Sequence, residues 1–255
     1  KKKNEVNRGH SQIQLLKDFE AKVAHAEKSA NLAYWKASIS GTEEDYAELE
    51  KLRNDVDAIY SKKATYEKLC SMRKSPPAEL DATWRRALEC AWLACLGKQA
   101  PKALLEQITA TQNKIERTFN TYRSPVGDGE LTENEVRKVL ATETDSKRCE
   151  AAWRGYHGVG QKVSEELKLL VTLRNQLAVG LGFESYWHLQ LAIQELLPDE
   201  LMGFFDELDR LTSKPFGELK RELDQLLGAR FSTTPDKLRP WHTLDLFFQE
   251  VPSVL

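Results

Sequence analysis

Residues 13–33 read IQLLKDFEAKVAHAEKSANLA, and the spacing of their apolar positions decides the class of the fold. Ile13, Leu16, Phe19, Val23, Ala26, Ala30 and Ala33 recur at intervals of three and four. At 3.6 residues per turn they form one narrow stripe on a helix, with charged residues on the remaining faces. Gly41 is a natural stop. Thr42, with Asp45 three residues on, resembles a capping box and opens a second helix. Tyr46, Leu49, Leu52, Val56, Ile59, Tyr66 and Leu69 continue one face of it until Pro76-Pro77 breaks the hydrogen-bond ladder. Two such helices in succession read as a long antiparallel pair, either an arm packed on a larger body or a partner-binding coiled coil.

The same period runs through the next 150 residues. Leu80, Trp84, Leu88, Trp92 and Cys95 mark a third helix ending at Gly97, and Pro101 suits the first turn of a fourth. Leu104, Ile108, Ile115, Phe119 and Tyr122 form the buried side of that one. Ser124 to Glu130 is rich in turn residues. Thr132 and Glu135 make a capping box for a short helix through Leu140. A long helix is expected from about Asp145 to Leu181, with Gly182 past its end. Ser185 to Leu197, Asp199 to Thr212 and Pro215 to Leu227 follow. Beyond Gly228 the period fails, and Ser232 to Leu255 reads as loop. No strand alternation stands out. The expectation is an all-α chain in two parts: an N-terminal helical arm or lid over residues 1–131, and a helical body over 132–255 that ends in a long loop.

Composition narrows the function. The 255 residues carry 37 Lys and Arg against 39 Asp and Glu, a net charge of −2. A near-neutral chain with interspersed signs lacks the positive field that nucleic-acid binding needs. At 41% hydrophobic and 30% charged it is neither disordered nor membrane-embedded, and no run approaches the 18 apolar residues of a membrane span. Cys70, Cys90, Cys95 and Cys149 contain no C-x-x-C and do not read as a disulfide framework. No signal peptide is visible after Lys1-Lys2-Lys3-Asn4, so exported and cytoplasmic locations both stay open.

The catalytic motifs tested are absent. His10, His25, His157, His188 and His242 contain no pair spaced as in H-E-x-x-H, so no zinc ligand set is legible. Gly155, Gly158 and Gly160 have the wrong order for a phosphate loop and no strand before them; close helix–helix approach is the expected use of those small residues. Ser124 to Glu135 has the length of a calcium loop, but Ser124 and Val126 stand where oxygen ligands belong. No G-x-S-x-G elbow occurs.

Two polar–aromatic clusters are more specific. Arg174 and Asn175 interrupt an apolar helical pattern shortly before Gly182-Phe183-Glu184-Ser185-Tyr186-Trp187. Buried polar groups need partners, so Arg174, Asn175 and Tyr186 are expected to fix the junction of two helices. Arg239, Trp241 and His242, followed by Asp245-Leu246-Phe247-Phe248, mix aromatics with polar groups in a loop. Such a loop either lines a cleft, with Arg239, Trp241 and His242 facing substrate, or uses its aromatics to pin itself onto the helices.

The runs LRNQLAVGLGFESYWHLQLAIQEL and LRPWHTLDLFFQEVP, with TENEVRKVL and AAWRGYHGVGQKV, resemble the N-terminal half of peptidyl-dipeptidase A, the angiotensin-converting-enzyme-like zinc peptidases, in their bacterial-type form. Thimet oligopeptidase-type enzymes are wider relatives. The resemblance covers about Thr132 to Pro252; earlier it reduces to helical pattern. It implies a mainly helical, two-lobed enzyme with a deep cleft that hydrolyses oligopeptides. It also implies a zinc ion held by H-E-x-x-H and a later glutamate, all beyond residue 255. This chain would then be a metal-free lid and cleft wall, with a peptide substrate and the catalytic half of the same protein as its partners. A non-catalytic helical interaction module, or a family member that has lost its metal, are the alternatives. Where the animal enzymes have an arginine associated with chloride binding, this chain has His188.

Overall fold

Gly41 adopts a positive φ of 66° and turns the chain back after a first helix, α1 (Lys2–Ser40), into α2 (Glu43–Tyr60). A computed structural model describes residues 2–76, 80–250 and 252, with side chains from Ser11 onward. Pro77 of the proline pair lies outside them. Ala33, Ala37, Tyr46 and Leu49 pack between the two antiparallel helices, and Lys36 pairs with Asp45 at 2.8 Å across them. Thr42 caps α2 by accepting the Asp45 N–H.

The later helices are α3 (Lys63–Lys74), α4 (Ala82–Leu96), α5 (Lys102–Thr121), α6 (Glu133–Thr142), α7 (Ser146–His157), α8 (Val159–Gly180), α9 (Tyr186–Ile193) and α10 (Pro198–Arg230). The chain is mainly helical, as its periodicity predicts. Among the described residues no helix is long and apolar enough to cross a membrane. Contacts divide the chain into two units: Lys1–Asn120 with Glu166–Pro198, and Thr121–Glu165 with Asp199–Leu255. In the first, Leu16, Leu69, Met72, Leu80, Leu88 and Cys95 form one core, and Leu105, Leu177, Ala178 and Leu189 form another. In the second, a single core joins Val136, Leu140, Cys149, Ala152, Tyr156 and Leu227 to Trp241, Leu244 and Leu246 of the final loop.

Several boundaries differ from the periodic reading, each for a physical reason. The second helix stops at Tyr60, because the Tyr60 carbonyl accepts from the Gln99 side chain at 3.0 Å and Lys62 turns to extended backbone. The long helix predicted from Asp145 breaks at Gly158. A β-carbon there would lie 2.6 Å from the Tyr122 hydroxyl, which donates to the Gly155 carbonyl at 2.8 Å. A β-carbon on Gly155 would meet the Pro125 carbonyl oxygen at 2.6 Å. The close approach at these glycines is therefore to the segment around residues 122–126 rather than helix to helix.

That segment holds a hairpin the periodic reading lacks. Strands β1 (Ser124–Val126) and β2 (Gly129–Leu131) pair antiparallel around Gly127-Asp128, with φ of 61° at Gly127. Glycine with positive φ at the first central position is the II′ pattern that matches strand twist. The capping box at Thr132 and Glu135 forms as predicted, both bonds being present.

The two helices predicted over 199–227 are one. Pro215 sits inside α10, where it deletes a single ladder bond; its surroundings are exposed, so water satisfies the freed carbonyl. Helices α8, α9 and α10 all close with six-to-one and five-to-two hydrogen bonds around a left-handed residue. At α8 that residue is the expected Gly182; at α9 and α10 it is Glu195 (φ 59°) and Ser232 (φ 50°). Glu195 is held there by a bidentate pair with Arg86, both contacts at 2.5 Å.

Candidate functional site

The loop after α10 is anchored by three side chains that sequence spacing does not connect. Ser146 begins α7, one residue after its cap Asp145. Its hydroxyl oxygen accepts the Trp241 indole N–H at 3.1 Å and lies 2.7 Å from His242 Nε2. The other ring nitrogen of His242, Nδ1, accepts the Arg239 backbone N–H at 2.9 Å. A backbone amide can only donate, so Nδ1 is bare and the proton sits on Nε2, pointing at Ser146. Burial lowers the pKa of His242, and the Arg239 charge adds to this against an opposing pull from Glu150.

This tautomer decides what the Ser146–His242 pair can do. A serine nucleophile needs an imidazole that takes its proton through Nε2 while Nδ1–H is oriented by a carboxylate. Here both directions are reversed. The pair is therefore a structural clasp, with Ser146 accepting two hydrogen bonds.

Trp241 and His242 are buried, turned into the core of the second unit. The Trp153 ring lies 6.1 Å from Trp241, the Arg154 guanidinium 5.2 Å from it, and the Phe231 ring lies 4.5 Å from that of His242, tilted by 39°. They pin the loop to α7 and α10. Arg239 is exposed, and so is Phe247. Asp245 fixes the loop's second half: its Oδ2 accepts from the N–H groups of Phe247 (3.0 Å) and Gln249 (2.9 Å), and Oδ1 pairs with Arg137 at 3.3 Å. Burial works against its charge, but the N–H groups of Gln249, Phe247 and Leu246, helped by Arg137, outweigh it and lower the pKa. These bonds hold Leu244 and Phe248 in left-handed backbone, φ 63° and 54°, which non-glycine residues rarely adopt. Trp153 completes the seam by donating to the Leu246 carbonyl at 3.3 Å.

The second cluster, Arg174, Asn175 and Tyr186, lies in the first unit. Asn175 Oδ1 accepts the Tyr186 N–H at 2.9 Å, tying α8 to the start of α9. Arg174 donates to Gln112 Oε1 at 3.1 Å and its guanidinium lies 5.1 Å from the Tyr186 ring. Gln112 in turn donates to Glu116, which pairs with Arg53 at 2.8 Å. His188 Nδ1 meets the Ser185 hydroxyl at 2.9 Å, and its ring faces Trp187 edge-on at 4.8 Å.

The sequence reading missed Ser146, since a serine after a helix cap carries no special signal. Asp245 was signalled by being the one charge in LDLFF. Among the described residues no three His, Cys, Asp or Glu side chains come together as a metal site would require.

A protein-family model described as angiotensin-converting enzyme, of the M2 peptidases, matches residues 7–238. The match takes in the N-terminal helices, where the sequence shows only helical pattern, and ends just before Arg239. No individual curated protein matches the chain.

Proposed function

Because the chain belongs to the angiotensin-converting-enzyme family of peptidases, we propose that it is the N-terminal portion of a zinc-dependent peptidase that hydrolyses oligopeptides and releases C-terminal dipeptides. The family match carries this reading. H-E-x-x-H does not occur in these 255 residues, so the proposal puts the motif after Leu255. The surface of α10 supports it. Met202, Phe204, Phe205, Leu211 and Phe216 are each at least 50% exposed along one helix. An apolar surface of that kind is usually covered by another part of the protein. In this reading the covering part is the zinc-bearing half.

The chain then contributes shape rather than bond-breaking groups. The final loop presents Arg239 and Phe247 to the peptide, while Trp241 and His242 act as positioning residues behind them. Arg239 is suited to a substrate carboxylate through its forked donors.

The reading frame beyond Leu255 tests this: H-E-x-x-H followed by a glutamate is expected. An intact frame without the motif would leave a family member that kept its helices and lost its metal. In the complete protein, Arg239→Ala is expected to raise KM with kcat nearly unchanged. Trp241→Ala is expected to lower the melting temperature as well. Peptidase activity that ignores a metal chelator would refute the zinc assignment.

A further inference from the structure

The charges of α10 are sorted around its axis. At about 100° per residue, Phe204, Phe205, Leu208, Leu211, Phe216 and Leu219 fall within one arc of roughly 140°. They are between 37% and 60% exposed. Glu200, Glu207 and Glu218 line up along one edge of that arc, within about 20° of one another, and Glu222 follows one turn on. Asp209 borders the opposite edge. The basic residues Arg210, Lys214 and Arg221 lie on the far face.

Ion pairing within the chain leaves most of the glutamate row uncompensated. Arg210 neutralises Glu207 through two hydrogen bonds, at 2.7 and 2.5 Å, and Lys220 is held by Asp224 at 2.5 Å. Glu200, Glu218 and Glu222 are exposed and make no ion pair among the described residues.

This order selects among the surfaces that could cover the stripe. Antiparallel two-fold pairing with a second copy sets each edge against itself, glutamate on glutamate, and parallel pairing sets the glutamates against the edge that carries Asp209. An anionic lipid surface meets the same repulsion. A helix with lysine or arginine beside its own apolar stripe meets none of it. It also presents apolar and basic groups at the same repeat as α10.

We propose that α10 is the seat of a basic amphipathic helix, with lysine or arginine opposite Glu200, Glu218 and Glu222, and that the zinc-bearing half of the protein supplies it. The source of the helix rests on the reading above that this half covers α10. Glu200 and Glu218 stand five turns apart, about 27 Å, so a helix of roughly 18 residues or more engages both.

The test is fluorescence anisotropy of the 255-residue chain with a labelled amphipathic helix of about 20 residues built of leucine and lysine, beside the same peptide with glutamate in place of lysine. The lysine peptide is expected to bind about tenfold tighter, the scale of several exposed ion pairs, and to lose that margin in about 0.5 M salt. In the double variant Glu200→Lys, Glu218→Lys the preference is expected to pass to the glutamate peptide. Both positions are exposed and unpaired, so the variant keeps the fold. Phe205→Ser, also at an exposed position, is expected to weaken binding of the lysine peptide. Equal binding of the two peptides, or a preference unchanged in the double variant, would overturn the proposal. So would self-association of the chain, or its binding to phosphatidylglycerol vesicles, if Phe205→Ser abolishes it. A reading frame without H-E-x-x-H would instead overturn the zinc reading and leave the peptide result standing.

Discussion

Replacing Ser146 by alanine isolates the clasp that holds the final loop. The hydroxyl accepts two hydrogen bonds, from Trp241 Nε1 and His242 Nε2. Alanine leaves both donors buried without a partner, since Trp241 and His242 are 9% and 4% exposed. An unsatisfied buried donor costs about 1–3 kcal/mol. Ser146 itself is half-buried, so water reaches part of the vacated space, and the expected loss is about 2–3 kcal/mol. The helix start is not at issue, because Asp145 remains as the cap. Urea unfolding followed by tryptophan fluorescence and circular dichroism gives the value. A double-mutant cycle with Trp241→Phe gives the mechanism: phenylalanine has no N–H to strand, so the two changes are expected to be clearly non-additive. A loss below about 0.5 kcal/mol, or simple additivity in the cycle, would refute the assignment of Ser146 as the shared acceptor.

Acid is expected to loosen the same loop. Folding holds His242 neutral and lowers its pKa, so the unfolded chain binds the extra proton more readily. The contribution is intact above the usual histidine value of 6.5 and is lost as pH falls below it; His242→Asn is expected to flatten that part of the stability–pH curve. Gly155→Ala would place a methyl group 2.6 Å from the Pro125 carbonyl oxygen and is expected to cost about 1–3 kcal/mol in the same unfolding assay. Pro215→Ala restores a ladder bond inside α10, from the amide at position 215 to the residue-211 carbonyl, and is expected to raise helicity and stabilise the helix by about 2 kcal/mol, read by circular dichroism and hydrogen exchange; an unprotected amide at position 215 would contradict it. Burial pushes the Cys95 thiol up to about 12 and the Cys149 thiol up to about 11, while Cys90 is exposed. A thiol reagent at neutral pH is therefore expected to label Cys90 well before Cys95 and Cys149, as mapped by mass spectrometry.

Local chemistry made much of this molecule legible in advance. The stripe from Ile13 to Ala33, the stops at Gly41 and Gly182, the cap at Thr42 and the box at Thr132 each depend on residues within one or two turns. Such signals survive in the linear chain because the interaction is written between near neighbours. Arg174 and Asn175 were legible for a related reason: a polar group in an apolar stripe must find a partner, even when the partner is not named.

What the sequence left open depends on distant groups. The break after Tyr60 needs Gln99; the break at Gly158 needs Tyr122; the left-handed end of α9 needs Arg86 to hold Glu195 where a glycine would signal itself. The final loop shows the difference most clearly. Its composition allowed a cleft lining or a pinned strap, because tryptophan and histidine serve both uses. Ser146, 95 and 96 residues away in the chain, takes up the Trp241 and His242 donors and fixes where those rings go. Hydrogen-bond direction and burial are properties of a folded neighbourhood, and no spacing in the linear chain encodes them.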